Sequence, residues 1–151
     1  MPDPRNEPFR SYNFALRIGN EAKGYFTSIT GLEARIEPIA YREGGSEHVR
    51  KLRGRVDYAE LELWYGVSTS LDLWRWFEAA LSADSYKQNL TIALLDPQRS
   101  GREVRWNLYE AWPSRWRAQP MDGLANTVAI ESVSIAFDHL EREVSEGSGA
   151  A

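Results

Sequence analysis

The alternation of apolar and polar positions predicts β-strands over much of the chain. Phe14, Leu16 and Ile18 are separated by a small and a charged residue, which is the two-residue period of a strand with one buried face. The last strand shows a change of phase in its apolar positions, which predicts either a β-bulge near Glu131 and Ser132 or a strand buried on both faces. Further strands are expected in residues 32–41, 89–95 and 102–111, with the last strand in residues 126–139.

The strand expected from residue 58 to residue 65 has two unlike faces. Leu61 and Leu63 belong to an apolar face, whereas Glu60, Glu62 and Trp64 belong to the other. Burying carboxylates in the subunit core without partners would be costly. The second face is therefore expected to meet water or a partner.

One helix is expected, from about Ser70 to Ala83. Thr69 or Ser70 is expected to cap its first turn through a side-chain oxygen. Apolar residues recur at steps of three and four, which is typical of a helix that packs on a sheet. The expected packing stripe consists of Leu71, Trp74, Phe77 and Leu81, widened by Leu73, Trp76 and Ala80.

Six or seven strands and one helix, without regular alternation of the two, favour an α+β, mainly β fold. The expected architecture is a small antiparallel barrel or sandwich of six to seven strands with one flanking helix. The length of 151 residues favours one domain over 1–151, with a core at about 8–140 and a flexible C-terminal tail at 145–151.

Composition removes several classes of function. The chain has no cysteine, which excludes disulfides and thiolate sites. A net charge of −4 makes nucleic acid an unexpected partner. No apolar run approaches the roughly 20 residues that cross a bilayer, and the polar start is unlike a signal peptide. We therefore expect synthesis and assembly in the cytoplasm, without direct membrane insertion.

The sequence offers no catalytic constellation. His48 and His139 stand in no recognisable nucleophile or metal spacing, and Glu60 and Glu62 are the kind of charged pair usually found on a solvated or interfacial face. No glycine-rich phosphate motif occurs. We expect no enzyme activity, no catalytic residue, no cofactor and no metal site.

A long basic segment separates two of the expected strands. The thirteen residues from Arg42 to Gly54 are more than a hairpin turn needs, and long structureless loops in compact domains are usually functional or disordered. Residues 42–55 contain five basic and two acidic side chains, whereas residues 138–146 contain four acids and one arginine. A solvated loop is the ordinary explanation, and a charged docking segment is the alternative.

Three blocks of the sequence resemble a known family. They are PFRSYNFALRIGNEAKGYFTSITGLEARIEPIAYREGG, HVRKLRGRVDYAELELWYGV and LWRWFEAAL. Together they closely resemble the inner-tube proteins of contractile injection systems, phage-tail-like particles whose tubes are related to contractile-phage tail tubes. The resemblance covers roughly residues 8 to 140. Its most specific parts are the opening strand, the Ile29–Leu32 element and the block from Tyr41 to Gly54, in which Arg53 stands where related chains often have proline.

The resemblance implies a structural subunit. Six copies would form a ring, rings would stack head to tail into a hollow tube for cargo delivery, and strands of neighbouring subunits would join into one barrel around the lumen. The implied partners are further copies of the chain, a sheath, baseplate or spike proteins, a cap and cargo in the lumen, in a particle that is either released or membrane-anchored.

Under this resemblance the basic segment becomes an arm that docks on an adjoining subunit or ring. Glu141 and Glu143 are the expected acidic partner surface, and Glu60 and Glu62 are the expected lumen residues. The expected arm residues are Arg42, Glu43, Gly44, Gly45, Glu47, His48, Arg50, Lys51, Leu52, Arg53 and Arg55.

Two alternatives to a tube subunit remain open from the sequence. A small β-barrel could be a binding module that holds an anionic ligand or polymer through its arginines. A barrel enzyme is the other alternative, for which the chain supplies no recognisable residues.

Overall fold

A computed structural model of the chain describes residues 14–19, 21–22, 26–45, 47–67, 71–95, 101–124, 126 and 128–145. Strands dominate these residues and one helix, α1 (Asp72–Leu81), occurs among them, which confirms the expected fold class. The strands are β1 (Phe14–Ile18), β2 (Glu21–Ala22), β3 (Phe26–Thr30), β4 (Ala34–Tyr41), β5 (Arg50–Tyr58), β6 (Leu61–Gly66), β7 (Gln88–Leu95), β8 (Glu103–Ala118), β9 (Ile130–Ala136) and β10 (His139–Ser145).

The long strand β8 organises the fold. Its first half pairs with β7 and β10, and its second half pairs with β9. Beyond β7 the sheet continues through β1 to β2, and beyond β9 it continues through β6 to β3. All these pairs are antiparallel. The sheet therefore has two parts that share β8, which we call wings. One contains β7, β1 and β2, and the other contains β9, β6 and β3.

The two wings enclose one apolar core. Leu16 and Leu90 come from the wing of β1 and β7, whereas Leu61, Leu63 and Ile135 come from the wing of β6 and β9. The last four of these are fully buried, so burial across the wings stabilises the fold at roughly 1.5–3 kcal/mol for each large side chain. A sandwich closed by one bent sheet matches the architecture expected from the pattern.

Strand β8 bends where it exchanges partners. Glu110 has a φ of 55°, a value that residues other than glycine seldom adopt, and the pairing with β7 shifts beside it between Gln88 and Leu90. A second shift lies between Pro113 and Arg115. Extra residues of this kind bend a strand and increase its twist, which directs the two halves of β8 into different wings.

The bulge predicted near Glu131 is wrong. Strand β9 pairs with β6 without a register shift from Ile135 to Ile130. The change of phase instead reflects burial on both faces, because the adjacent Ser132 and Val133 are only 2% and 0% exposed. The strand expected at 126–139 is shorter, because β9 covers only Ile130–Ala136, and β10 (His139–Ser145), which follows it end to end along β8, was not predicted as a strand.

The helix packs through a face different from the one predicted. Trp76 is buried in the core, and its Nε1–H donates a hydrogen bond of 2.6 Å to the backbone oxygen of Tyr86. Leu73 packs beside it. Leu71 precedes the helix and is 50% exposed, while Leu81 is 69% exposed. The predicted stripe was therefore wrong at both ends.

Trp74 and Phe77, the middle residues of the predicted stripe, lie at the edge of the contact between α1 and the sheet. Trp74 remains partly exposed and meets Trp116 of β8 edge to face, with ring centroids 5.0 Å apart, and Phe77 lies 5.9 Å from Trp74. Two overlapping apolar sets recur at helical steps here, and periodicity alone cannot rank them. The predicted cap residues Thr69 and Ser70 lie outside the described residues.

Candidate assembly surfaces

Strands β4 and β5 form a separate two-stranded hairpin. Their pairing runs from Ala34 opposite Tyr58 to Tyr41 opposite Arg50, and they pair with no other strand in the described ranges. Every residue of β4 is exposed. We call residues 34–58 the arm. Its connecting loop is only residues 42–49, so the predicted thirteen-residue connection from Arg42 to Gly54 was too long, because Arg50–Gly54 belongs to a paired strand.

A kink in the arm requires glycine at position 54. The pairing shifts between Ile36 and Pro38, where the missing N–H of proline favours an irregularity. A Cβ on Gly54 would lie 2.5 Å from the backbone oxygen of Glu37 and about 3 Å from the side chain of Ile39. Only a residue without a side chain fits this close approach.

The arm exposes apolar side chains that a charge-based interpretation overlooks. Ile39 is paired with Leu52, and Tyr41 follows Ile39 on the same face by alternation. Each of the three is close to half exposed. The two wings together are called the body of the subunit. On the opposite face of the arm, nearer the body, Ile36 is paired with Val56, and both are also exposed. The signal lay in the sequence as apolar residues placed among charged ones on both sides of Gly44 and Gly45.

The basic residues predicted for docking divide between the faces of the arm. Lys51 and Arg53 are paired with Ala40 and Pro38, on the face opposite Leu52. The loop contains the remaining predicted residues outside the strands. These are Arg42, Glu43, Gly44, Gly45, Glu47 and His48, all exposed.

A cavity of about 180 Å³ lies on the arm near the body. It is lined by Arg35, Glu37, Arg55 and Asp57. Two cations and two carboxylates balance there, so the cavity carries no excess of positive charge. Arg55 therefore lies among acidic neighbours and apart from Lys51 and Arg53.

The predicted acidic partners lie in an ordered strand and outside the predicted flexible tail. Glu141 and Glu143 alternate along β10. The hydroxyl of Tyr109 donates to Oε2 of Glu141 at 2.9 Å, and this bond raises the pKa of Tyr109. The rings of Tyr109 and His139 stack at 4.4 Å. Within the described part of one subunit, no ion pair joins these two glutamates to Lys51 or the arginines of β5.

The wing formed by β8, β9, β6 and β3 has a polar outer face. Oε1 of Glu62 accepts a hydrogen bond of 3.1 Å from Nη2 of Arg117, whose guanidinium lies 5.6 Å from the ring of Trp64. Leu61 and Leu63 on the inner face are fully buried. The two faces predicted for this strand are therefore confirmed. Glu60 is exposed just before β6.

The inner face of the same wing contains a hydrogen-bonded polar group near the helix. Nε1–H of Trp116 donates to Oε2 of Glu131 at 3.3 Å. Burial raises the pKa of Tyr65, and its hydrogen bond to Glu131 and the negative charge of that carboxylate raise it further. This group was not predicted from the sequence, in which Glu131 stood out only at the change of phase in the last strand.

Two edges of this wing are free in the subunit. Strand β3 pairs only with β6, and the second half of β8 pairs only with β9, among the strands that the structure describes. Unpaired N–H and C=O groups at such edges are ready to pair with another chain. The wing therefore has the form of a four-stranded segment that another copy could extend on either side.

The described residues contain neither a metal-binding cluster nor a helix that could span a membrane. No group of three or more histidine, aspartate or glutamate side chains is placed to hold a metal ion in these ranges. The helix that the structure describes is too short to span a membrane.

Comparison with known proteins gives the family. The family model described as T4-like virus tail tube protein gp19 matches residues 10–141. The chain belongs to this tail tube protein family. It is a structural tube subunit, as the resemblance of its sequence predicted. No curated protein matches it in sequence.

Solved structures share the fold along nearly the whole chain. A chain of the PVC sheath–tube complex, an extracellular contractile injection system in the extended state, has a TM-score of 0.82 at 22% identity over 93% of this chain and 94% of its own. A chain of the anti-feeding prophage cap gives 0.82 at 22% identity, over 96% and 100%. A chain of the anti-feeding prophage baseplate gives 0.77 at 26% identity, over 91% and 97%.

A more distant likeness extends to a secretion-system protein. Hcp1 from Flavobacterium johnsoniae has a TM-score of 0.54 at 8% identity, over 88% of this chain and 98% of its own. At such identity the likeness concerns the fold alone. The tail tube fold of this family member is thus shared with Hcp.

Proposed function

We propose that this tail tube protein forms the inner tube of a contractile injection system, with six copies in each ring and rings stacked head to tail. Family membership and the likeness to a chain of the sheath–tube complex of an extracellular contractile injection system support the proposal. A head-to-tail interface either closes into a ring or propagates as a filament. A tube uses closure around its axis and propagation along it.

The observation that carries the proposal is the four-stranded wing of β8, β9, β6 and β3. It has a buried inner face, a polar outer face and a free edge on each side. Six such wings joined edge to edge make a barrel of about 24 strands, and at about 4.8 Å per strand its wall is about 115 Å around and about 37 Å across. Such a barrel is wide enough to be hollow.

In this barrel the polar outer face of the wing would line the lumen. Glu60 and Glu62 are the proposed lumen residues. Arg117 also lies on this face and pairs with Glu62, so the wall carries both signs of charge. A wall of this kind would not hold a charged cargo tightly during its passage.

The arm is proposed to dock on an adjoining subunit. Its basic face, with Lys51 and Arg53, would approach the acidic strand that contains Glu141 and Glu143. Exposed ion pairs contribute only about 0.2–1 kcal/mol each, but a hexamer repeats each contact around the ring. Salt screens such contacts, so this part of the assembly would weaken as ionic strength rises.

The remaining partners follow from the particle. A sheath around the tube, a baseplate or spike and a cap at its ends, and cargo within the lumen are proposed, with release of the assembled particle outside the cell. The structures with the same fold come from a sheath–tube complex, a cap and a baseplate. The role is proposed to be structural, without catalysis.

The alternative of a binding module for an anionic ligand gains no support from the arm cavity. Its two arginines face two carboxylates in the set Arg35, Glu37, Arg55 and Asp57. An anion would have to displace a balanced charge set in a solvent-exposed place.

Negative-stain microscopy of the purified chain tests the proposal. Rings with sixfold symmetry, or tubes built from them, are the expected result. A protein that stays monomeric at every concentration, with or without polyanions, would contradict it. A monomer stabilised against heat by a polyanion would instead favour the binding module.

The docking role of the arm has its own test. Lys51→Glu combined with Arg53→Glu, both on the basic face of the arm, is expected to reduce tube sedimentation most at low salt, where screening is weakest. Arg75→Glu combined with Lys87→Glu, at two exposed positions outside the arm, is a control matched for the change in net charge. Equal loss in both variants would remove the electrostatic part of the arm proposal.

A further inference from the structure

The outer face of the four-stranded wing is basic along one free edge and acidic toward the other. Arg115 and Arg117 of β8 belong to this face, because Trp116 between them packs on the core. Glu62 of β6 lies on the same face, and Glu60 is exposed just before that strand. Only β3 lies between these glutamates and the other free edge. The two edges of the wing thus carry opposite charges.

An ion pair within the subunit shows how charges meet across a strand on this face. Nη2 of Arg117 lies 3.1 Å from Oε1 of Glu62, although β9 runs between β8 and β6. Neighbouring strands are about 4.8 Å apart, so the two side chains together span about 10 Å. The β9 residues opposite them are Ser132 and Ser134, which are small enough for long side chains to pass over.

A second cation and a second carboxylate at this face have no partner in the subunit. Arg115 and Glu60 are exposed, and neither side chain has a hydrogen bond or an ion pair among the residues that the structure describes. Glu60 also lies beside the end of β3, because a Cβ on Gly31 would collide with its backbone oxygen. An unpaired cation therefore stands at the β8 edge, and an unpaired carboxylate stands near the β3 edge.

The strand directions allow the two edges to join. Strands β8, β9, β6 and β3 are antiparallel to their neighbours in turn, so β3 runs opposite to β8. The β3 edge of one copy can therefore pair antiparallel with the β8 edge of the next. We call this junction the seam. Ser28 and Thr30 of β3 share the outer face with their partners Trp64 and Glu62, so small side chains separate β8 from β6 at the seam as they do within the wing.

We propose that Arg115 of each copy forms an ion pair with Glu60 of the adjoining copy in the same ring, across β3 of that copy. The inference rests on the proposed ring. Arg117 is already paired with Glu62 in its own subunit, which leaves Arg115 and Glu60 for the seam. The span is again two strand spacings, about 10 Å, as in the pair that the subunit already contains.

The pair also selects the ring over a competing assembly. A free edge strand can pair antiparallel with its own counterpart in a second copy, which gives a closed twofold dimer. Two β8 edges joined in this way bring Arg115 and Arg117 of both copies together, and like charges on facing strands are destabilising. Opposite charges at the seam instead favour the head-to-tail contact that closes a ring. Repulsion in the wrong pairing is a common source of specificity.

Charge reversal tests the pair. Arg115→Glu places two carboxylates at every seam, and Glu60→Arg places two arginines there. Each variant alone is therefore expected to stay unassembled at low salt, at concentrations at which the wild type forms rings. An equimolar mixture of the two variants is expected to regain rings, because alternating copies set opposite charges at every seam. Native mass spectrometry identifies such rings as hexamers that contain equal numbers of both variants.

Two further variants serve as controls. The double variant Arg115→Glu with Glu60→Arg restores opposite charges within one chain and is expected to form rings by itself. Arg75→Glu, at an exposed position of the helix outside the wing, makes the same change in net charge as Arg115→Glu and is expected to leave rings unchanged. High salt should reduce the difference between the single variants and the wild type, because it screens exposed charges.

Normal rings from Arg115→Glu at low salt would overturn the inference and leave the proposed ring intact. Rings that are lost in the single variants and regained in neither the mixture nor the double variant would also overturn it, because a paired contact is rescued by its reversal. A wild-type chain that forms no rings overturns both the inference and the proposed function.

Discussion

Strands β5 and β6 follow one another in the chain and have opposite surroundings. In β6, Leu61 and Leu63 are fully buried between the wings. In β5, seven of nine residues are exposed and only Gly54 and Tyr58 are partly covered. The two strands also differ in backbone pairing, because β6 lies between β3 and β9 whereas β5 pairs with β4 alone among the described strands. Strand β6 is stabilised within its own subunit, whereas the apolar side chains of β5 are not covered within it, and we propose that another copy covers them.

Removing the outer half of the arm, residues 40–51, should give the largest effect on assembly. Ile39 and Leu52 are directly paired, so residues 40–51 can be replaced by Asn-Gly, a two-residue turn suited to a hairpin. We expect a folded subunit with complete loss of tubes in sedimentation and microscopy. Normal tubes from this variant would show that β5 is not an assembly element.

Truncations on the two strands should separate folding from assembly. Leu63→Ala in β6 should lower the free energy of unfolding by about 2–5 kcal/mol, the usual cost of a buried leucine. Leu52→Ala in β5 should change it by less than about 0.5 kcal/mol, as for a surface residue, and should impair stacking instead. Urea unfolding of the isolated subunits measures both values, and similar losses would remove the contrast.

The helix supplies a matched pair of tryptophans. Trp76→Ala should destabilise the subunit by about 3–5 kcal/mol because Trp76 is buried. Trp74→Ala should cost clearly less, since Trp74 is partly exposed and has a margin contact with Trp116. Thermal melting compares the stability of the two variants. A larger loss of stability for Trp74→Ala would favour the packing stripe that the sequence predicted.

The sequence predicted the body better than the boundary between body and arm. Leu61, Leu63 and Glu62 alternate clearly, and one buried face fixes their orientation. Arg50–Gly54 was assigned to a loop because charged residues dominate it, yet cross-strand pairing alone makes it a strand. Trp76 was placed second to Trp74 because both recur at helical steps. The selection between them depends on contacts with β8 that are distant in sequence.

Two glycines offer a finer comparison. A Cβ on Gly31 would lie 2.4 Å from the backbone oxygen of Glu60, and Gly31 has a φ of 86°. Gly31→Ala is expected to destabilise the body by roughly 1–3 kcal/mol. Gly54→Ala should disturb the arm and tube formation with little effect on unfolding of the body. The contrary result would be that Gly31→Ala affects only tube formation and Gly54→Ala destabilises the body. It would contradict the boundary between body and arm at residues 31–34.

Alkaline pH should lower the stability of the two wings through Tyr65. Burial raises the pKa of Tyr65 above its usual value near 10, so the neutral phenol stabilises the folded state. This stability is fully present below about pH 10 and is lost as the pH rises further, because the unfolded chain releases the proton more readily. Tyr65→Phe should flatten the decline of stability above pH 10, and an unchanged decline would contradict this.

The smallest expected effect concerns the outer face of β6. Arg117 and Glu62 are both partly exposed, so their ion pair should contribute only about 0.2–1 kcal/mol. A double-mutant cycle with Glu62→Gln and Arg117→Gln measures the coupling. A value of several kcal/mol would mean that this face is shielded within the subunit and unlike the lumen surface proposed for it.

Amide hydrogen exchange on free subunits and assembled tubes tests the central contrast most directly. The account predicts that β6 is protected to a similar degree in both states, because its core is complete within one subunit. It predicts that β5 exchanges quickly in the free subunit and becomes strongly protected in the tube. Fast exchange of β5 in the tube, or equal protection of β5 in both states, would contradict the claim that neighbouring copies complete the arm.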